Sequence, residues 1–248
     1  MLATSDAIVM RWRKYGDTSK IATLYSREYG IISVIAKGAR VPKSKFGASL
    51  ETLSYGSYTF YKKPATSLYL LSSAEAIKPL IKISRNIEAL SSAMLILDSI
   101  NMSQEEREPD PELFDSLAAY LTKLNSLPNN SFTYFVSFQL KLAESMGFAA
   151  DFSSLRIEGS APEEARIAFS ISDGEFLENY GESAKSVFFL KLGTAVALKS
   201  ISESDLDALQ ELEIDSRRAG ELHDFFVKYF SFHTDKHFRY KTFDLLPV

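Results

Sequence analysis

The spacing of apolar residues changes once along this chain, at Pro79, and any fold must accommodate that change. Before it, short runs rich in β-branched and aromatic residues succeed one another at 7–13, 21–25, 31–35, 55–61 and 67–76. Their joints carry turn residues: Tyr15-Gly16-Asp17, Tyr29-Gly30 and Lys63-Pro64. Five strands in about 80 residues suit a small closed or partly open barrel. The five-stranded OB fold, which binds oligonucleotides on its face, is one such barrel. A different small barrel fits the strand count equally.

After Pro79 the spacing is helical. Ile83, Ile87, Leu90, Met94 and Leu97 recur every three or four residues. Ser103 to Pro111 reads as an acidic, Pro-punctuated loop. A second helix carries Leu113, Leu117, Tyr120, Leu121 and Leu124 and ends at Leu127-Pro128-Asn129-Asn130. A third covers 132–146 and ends at Gly147. Amphipathic helices with short joints point to a bundle. Residues 151–186 interrupt it with a hairpin, 167–171 returning through Ser172-Asp173-Gly174-Glu175 to Phe176-Leu177. Helical spacing resumes at 187–198 and 216–230. The expected fold is therefore multidomain α and β: a five-stranded barrel over 1–80, then a mainly α-helical domain over 81–248 with a small β-hairpin insert at about 151–186.

Charge divides at the same place. Residues 1–82 hold 13 Lys and Arg against 5 acids, a net of +8, while the remainder holds 15 against 27, a net of −12. A basic head on an acidic body suggests a nucleic-acid-binding portion, or else two halves that attract each other. The cations concentrate after the strand at 31–35, where Lys37, Arg40, Lys43 and Lys45 surround Gly38, Pro42, Phe46 and Gly47 with no Asp or Glu between Ile31 and Leu50. Such a loop suits a polyanion, and a phosphate backbone is the commonest one; a solvated loop is the plainer reading. Phe46 offers a face on which a base could stack. Arg11 and Arg13, two apart, share one side of the first strand, with Trp12 on the other. Tyr29, Tyr55 and Tyr61 are either stacking platforms or packing residues.

Several chemistries are excluded or unsupported. The chain has no cysteine, hence no disulfide, thiolate zinc site or cysteine nucleophile. Residues 38–47 lack the G-K-[ST] ending of a P-loop, and no G-x-S-x-G occurs. His233 and His237 could face one metal if helical, yet without a third ligand they read as a surface pair. No enzymatic activity is expected. The N-terminal M-L-A-T-S-D-A-I-V-M lacks the plan of a signal peptide, and no run approaches the roughly 18 apolar residues of a membrane span. A cytoplasmic protein with no membrane partner is expected.

The segment 7–51, with Y-G-D-T at Tyr15 to Thr18 and A-K-G-A-R at Ala36 to Arg40, resembles the N-terminal domain of RecO, a family of bacterial recombination mediators. S-A-E at Ser73 to Glu75 follows in family order. The similarity runs collinearly, though more weakly, through the helical body to the terminal F-R-Y-K-T-F-D-L-L. The resemblance implies an OB-fold head, a helical body and, in many members, a zinc-binding insert formed by four cysteines. This chain departs there, so no zinc and no other cofactor is expected, and packing must hold the hairpin. It further implies binding of single- and double-stranded DNA, annealing of complementary strands, and loading of RecA together with RecR and the single-stranded-DNA-binding protein, at the nucleoid. The acidic, apolar tail of that last partner would need a basic and apolar groove on the helical body. Carried over residue by residue, Lys37, Gly38 and Arg40 match the motif and Lys43 and Lys45 its basic extension. Arg11, Arg13, Lys14 and Arg27 form a second set. Two alternatives are a scaffold that engages an acidic protein and an RNA-binding OB module.

Overall fold

The structure is a computed structural model of the 248-residue chain and describes residues 1–62, 66–157, 161–177, 186–240 and 242–243. The expected joint at Lys63-Pro64 and part of the terminal motif (241 and 244–246) lie outside the described residues.

Five strands close a barrel: β1 (Leu2–Tyr15), β2 (Ser19–Ser26), β3 (Gly30–Ala36), β4 (Tyr55–Tyr61) and β5 (Leu68–Lys78), adjacent in the order β1-β2-β3-β5-β4. β3 and β5 run parallel, and the other pairs are antiparallel. This is the OB-like barrel expected from the strand count. β1 begins five residues earlier than its alternation suggests, because Leu2 to Asp6 pair with Tyr61 to Ser57. Alternate residues, among them Val9, Leu24, Val34, Phe60 and Leu71, fill the interior. A bulge between Val9 and Arg11 shifts the register of β1. Beyond it Arg11 and Arg13 are exposed and Trp12 packs on the core, as the two-residue spacing requires. Gly56 is needed where β4 crosses β5, since a Cβ there would sit 2.5 Å from the Glu75 carbonyl oxygen.

The chain forms two compact units, one of residues Met1–Arg85 with Ser103–Asn125, the other of Asn86–Met102 with Ser126–Val248. The three helices read from the sequence are present as α1 (Ile87–Ser103), α2 (Pro111–Asn125) and α3 (Ser131–Ser145). α2 belongs to the barrel's unit. Its start follows from Asp110-Pro111: the proline fits the first helical position, and Asp110 Oδ1 accepts from Leu113 N at 2.9 Å.

In the second unit β6 (Arg166–Ser170) and β7 (Glu175–Phe176) form the expected hairpin. The stretch 187–198, whose spacing reads as helix, is instead β8 (Val187–Lys191) followed by α4 (Leu192–Ser202). Val187, Phe188 and Phe189 are strong strand formers, and β8 completes a sheet in the order β7-β6-β8, with Phe169 opposite Phe188. Packing does hold the hairpin: the Phe169 ring meets Phe176 at 5.1 Å, Phe225 at 5.2 Å and Phe152 at 5.7 Å. α5 (Ser216–Thr234) contributes Phe225. A buried polar column runs from Tyr240 Oη to Gln139 Oε1 (2.8 Å) and from Gln139 Nε2 to Ser99 Oγ (2.7 Å), satisfying groups that would otherwise be costly to bury.

Candidate nucleic-acid interface

The basic segment after β3 is ordered by turns. Gly38, at φ 71°, takes the left-handed conformation that ends the strand. Successive i to i+3 backbone bonds follow, Val41 N to Gly38 O, Ser44 N to Val41 O, Gly47 N to Ser44 O and Ser49 N to Phe46 O. Phe46 and Leu50 point inward and join the barrel core. Tyr58, whose phenol is pushed up by burial, donates to Ser49 O at 2.6 Å and ties the segment down. Phe46 is 2% exposed, its ring covered by the core and by the Lys45 ammonium, 5.0 Å from the ring centroid. The expectation that it stacks a base is corrected: a side chain that anchors this segment cannot also present a face.

The cations fall into two kinds. Lys37 and Lys43 are exposed and, among the described residues, make no hydrogen bond or ion pair. Arg40 Nη1 donates to Gly16 O and Asp17 O, both at 3.1 Å, clamping the β1–β2 turn. Lys45 Nζ donates to Ser72 O at 2.6 Å. Carbonyls do not neutralise these two, so all four charges remain uncompensated by a carboxylate among the described residues. Among the described residues Arg11, Arg13 and Lys14 are likewise without an ion pair, and Arg11 Nε donates to Thr23 Oγ1 at 3.4 Å. Arg27 differs. Its guanidinium forks onto Asp115 of α2 with two bonds of 2.8 Å, which raises its own pKa and lowers that of Asp115. Arg27, expected as a phosphate contact, is thus engaged in an exposed ion pair with Asp115, unlike the cations above.

Strand register shows what surrounds the free cations. Ile35 of β3 lies opposite Leu70 of β5, and Leu70 opposite Tyr61 of β4, all three on the outer face. Tyr61 is 47% and Leu70 36% exposed, where an outer face is expected to be polar. They line an open groove of about 780 Å³ along the short β3–β5 seam, together with Lys37, Thr66 and Leu68. Arg107 donates to Thr66 O at 2.8 Å, bringing a further cation to the groove from a segment whose sequence reads as acidic. Ile35 also pairs across β2 through Ile21 to Arg13. Of the three candidate tyrosines, Tyr29 packs on Phe60 (5.5 Å) and Tyr55 on Phe114 (6.1 Å), leaving Tyr61 as the accessible one. The run Leu68-Tyr69-Leu70-Leu71 is apolar at both parities, so sequence alone does not show which side faces water.

Among the described residues, the groove on the second unit is of a different kind. A groove of about 420 Å³ lies beside Val196 and Ile214, but Arg218 at its rim is paired with Glu163 at 2.9 Å, and Glu211 and Glu213 add negative charge. That groove lacks the unpaired cation an acidic tail needs. The histidine pair is also corrected: α5 ends at Thr234, Asp235 is left-handed at φ 52°, and His233 bonds Ile171 O through Nε2 (2.8 Å) while stacking on Phe148 (4.6 Å). His233 is therefore a packing residue rather than half of a surface pair. Without cysteine, and with no cluster of three or more His, Asp or Glu among the described residues, the chain does not fit the four-thiolate zinc site of the resemblance. No described helix is long and apolar enough to cross a membrane.

Comparison with known proteins adds to this geometry. A model described as recombination protein O N terminal matches residues 1–80, and one described as recombination protein O C terminal matches 84–242. A protein of Salinibacter ruber named DNA repair protein RecO is 31% identical over 173 residues, 70% of this chain and 66% of that one. Proteins of the same name from Chloroherpeton thalassium (27% identical, 95% of this chain and 94% of the relative) and Bacillus subtilis (26%, 98% and 94%) align over nearly the whole length.

Proposed function

The chain belongs to the recombination protein O family, and from that premise we propose that it is a non-catalytic mediator of DNA repair and recombination that binds single- and double-stranded DNA through the outer face of its barrel. The observation that carries this reading is the set of cations without a carboxylate partner among the described residues, Lys37, Arg40, Lys43 and Lys45 with Arg11, Arg13 and Lys14, on one small barrel that also carries an open groove lined by the exposed Tyr61 and Leu70. Side-chain ammonium and guanidinium groups neutralise phosphates without reading base edges, which is the sequence-independent contact that strand annealing requires. Two complementary strands held on one positive surface repel each other less, so pairing proceeds faster. The protein would act in the bacterial cytoplasm at the nucleoid, with RecR and the single-stranded-DNA-binding protein as partners in loading RecA; the family and the relatives' names support that setting.

Fluorescence anisotropy with labelled single-stranded DNA at several salt concentrations tests the interface. Lys37→Ala with Lys43→Ala is the clean variant, because neither side chain holds the fold, whereas Arg40 and Lys45 do. Each lost phosphate contact should reduce the slope of log affinity against log salt by about 0.7 for single strands, so the double variant should lose roughly 1.4. Unchanged affinity and slope would place the DNA surface elsewhere. An annealing assay with the same variant, and competition with RNA of equal length, separate the mediator from a general polyanion binder.

A further inference from the structure

Resting on the DNA-binding reading, we infer that the row Ile35–Leu70–Tyr61 is a subsite for unpaired bases, so that the barrel prefers single strands to duplex. Three adjacent strands place these side chains in one line on the outer face, and inter-strand spacing makes the line about 10 Å long. That is room for one or two nucleobases. Tyr61 supplies an exposed aromatic face and Leu70 and Ile35 an apolar floor, the surface a base seeks once it leaves its partner. Charge surrounds the row on the sides where a backbone would run. Lys37 lines the same groove two residues beyond Ile35, Arg107 reaches its other end at Thr66, and Arg13 lies one pair beyond Ile21. Cations around an apolar strip fit a polymer of anionic links and flat rings. A duplex offers the cations its phosphates but keeps its bases stacked inside, so it uses the rim and leaves the strip empty.

The same geometry separates this row from the phosphate contacts experimentally. Labelled oligo-dT, a duplex, and a single strand of the same length with abasic sites are titrated against wild type, Tyr61→Ala, Tyr61→Phe and Leu70→Ser, each checked for folding by its melting temperature. Tyr61→Ala should lose roughly five- to a hundredfold in affinity for oligo-dT, the range for removing one base–aromatic stack. Tyr61→Phe should retain it, Leu70→Ser should lose part of it, and duplex and abasic strand should bind all four proteins alike. The salt slope should stay constant, because no phosphate contact is removed. Equal affinity of wild type and Tyr61→Ala for oligo-dT overturns the subsite, as does a loss shared by the abasic strand. Lys37→Ala with Lys43→Ala, run alongside, reports on the phosphate interface independently: if that variant loses binding while Tyr61→Ala does not, the DNA-binding reading survives and the base subsite does not.

Discussion

The barrel carries two apolar rows on its outer face, and they meet opposite fates. One runs Tyr55–Ile8–Tyr25–Ile31 across β4, β1, β2 and β3; the other runs Tyr61–Leu70–Ile35–Ile21 across β4, β5, β3 and β2. Along β3 they are four residues, about 13 Å, apart. Over the first row lies α2, whose Phe114 sits 5.9 Å from Tyr25 and 6.1 Å from Tyr55. Ile8 and Tyr25 are fully buried there, and the nearby cation, Arg27, is held by Asp115 of the same helix. Gly30 shows how closely the segment leading into α2 approaches: a Cβ there would stand 2.3 Å from the Glu108 carbonyl oxygen. In the second row Tyr61 and Leu70 stay exposed, and the nearby cation, Lys37, has no partner among the described residues. An outer apolar row with an adjacent cation calls for an apolar cover bearing negative charge. The chain provides one for the first row, and a strand of DNA has the matching chemistry for the second.

The sharpest way to break this comparison is to remove an aromatic ring on each side. Phe114→Ala should cost about 3–5 kcal/mol, the range for deleting a fully buried aromatic, since Phe114 is 0% exposed. Tyr61→Ala should change stability by no more than about 0.5 kcal/mol, as exposed substitutions usually do. Urea denaturation of the two variants checks both values. Comparable losses would mean that the second row is packed in solution and is not a free surface.

The phenols sharpen the contrast at alkaline pH. Burial, reinforced by Asp110, pushes the Tyr25 hydroxyl far above its usual value near 10. In the unfolded chain Tyr25 ionises from about pH 10. Above that pH the folded state binds more protons than the unfolded state, so stability falls as pH rises, by at most about 1.4 kcal/mol per pH unit for this group. Tyr25→Phe should match wild type near neutrality, because its hydroxyl contact with Asp110 O is long at 3.5 Å, and should lose less stability than wild type between about pH 10 and about pH 11. Identical alkaline profiles would deny Tyr25 its share of the effect.

What could be read from the chain follows the range of each signal. Alternation within one strand is local, so the barrel and the opposite sides taken by Arg13 and Trp12 were legible. The helical spacing of α1 to α3 was legible for the same reason. β8 was not, because Val187-Phe188-Phe189-Leu190 runs without a break into α4, and an apolar run of that length fits either period. The basic segment is visible in the sequence as a charge run, but whether Phe46 faces in or out depends on turns that a charge run does not specify. Arg27 and Asp115 lie 88 residues apart, and no local pattern joins them. The open row needed register across three strands before its side chains could be placed together.

The pair at the covered row allows the finest test. Arg27 beside Asp115 holds the carboxyl below its ordinary value of 3.8, and the hydrogen bonds contribute more than the bare charge. A depressed carboxyl pKa stabilises the folded state above the unfolded value and loses that contribution as pH falls through the folded one. Wild type should therefore lose this share of its stability below about pH 4. Asp115→Asn should start lower at neutral pH by a small amount, since exposed ion pairs contribute little, and its acid-limb profile should be flatter. The substitution also removes the carboxylate that Arg27 grips with two bonds and leaves it only the looser pair with Glu28 at 3.8 Å, turning a spent cation into a weakly paired one. If free cations on this barrel recruit phosphates wherever they stand, Asp115→Asn should bind DNA more tightly and with a steeper salt dependence than wild type. If affinity is unchanged while the acid limb flattens, the interface is confined to the uncovered side, and position on the barrel, as well as charge, selects the polyanion.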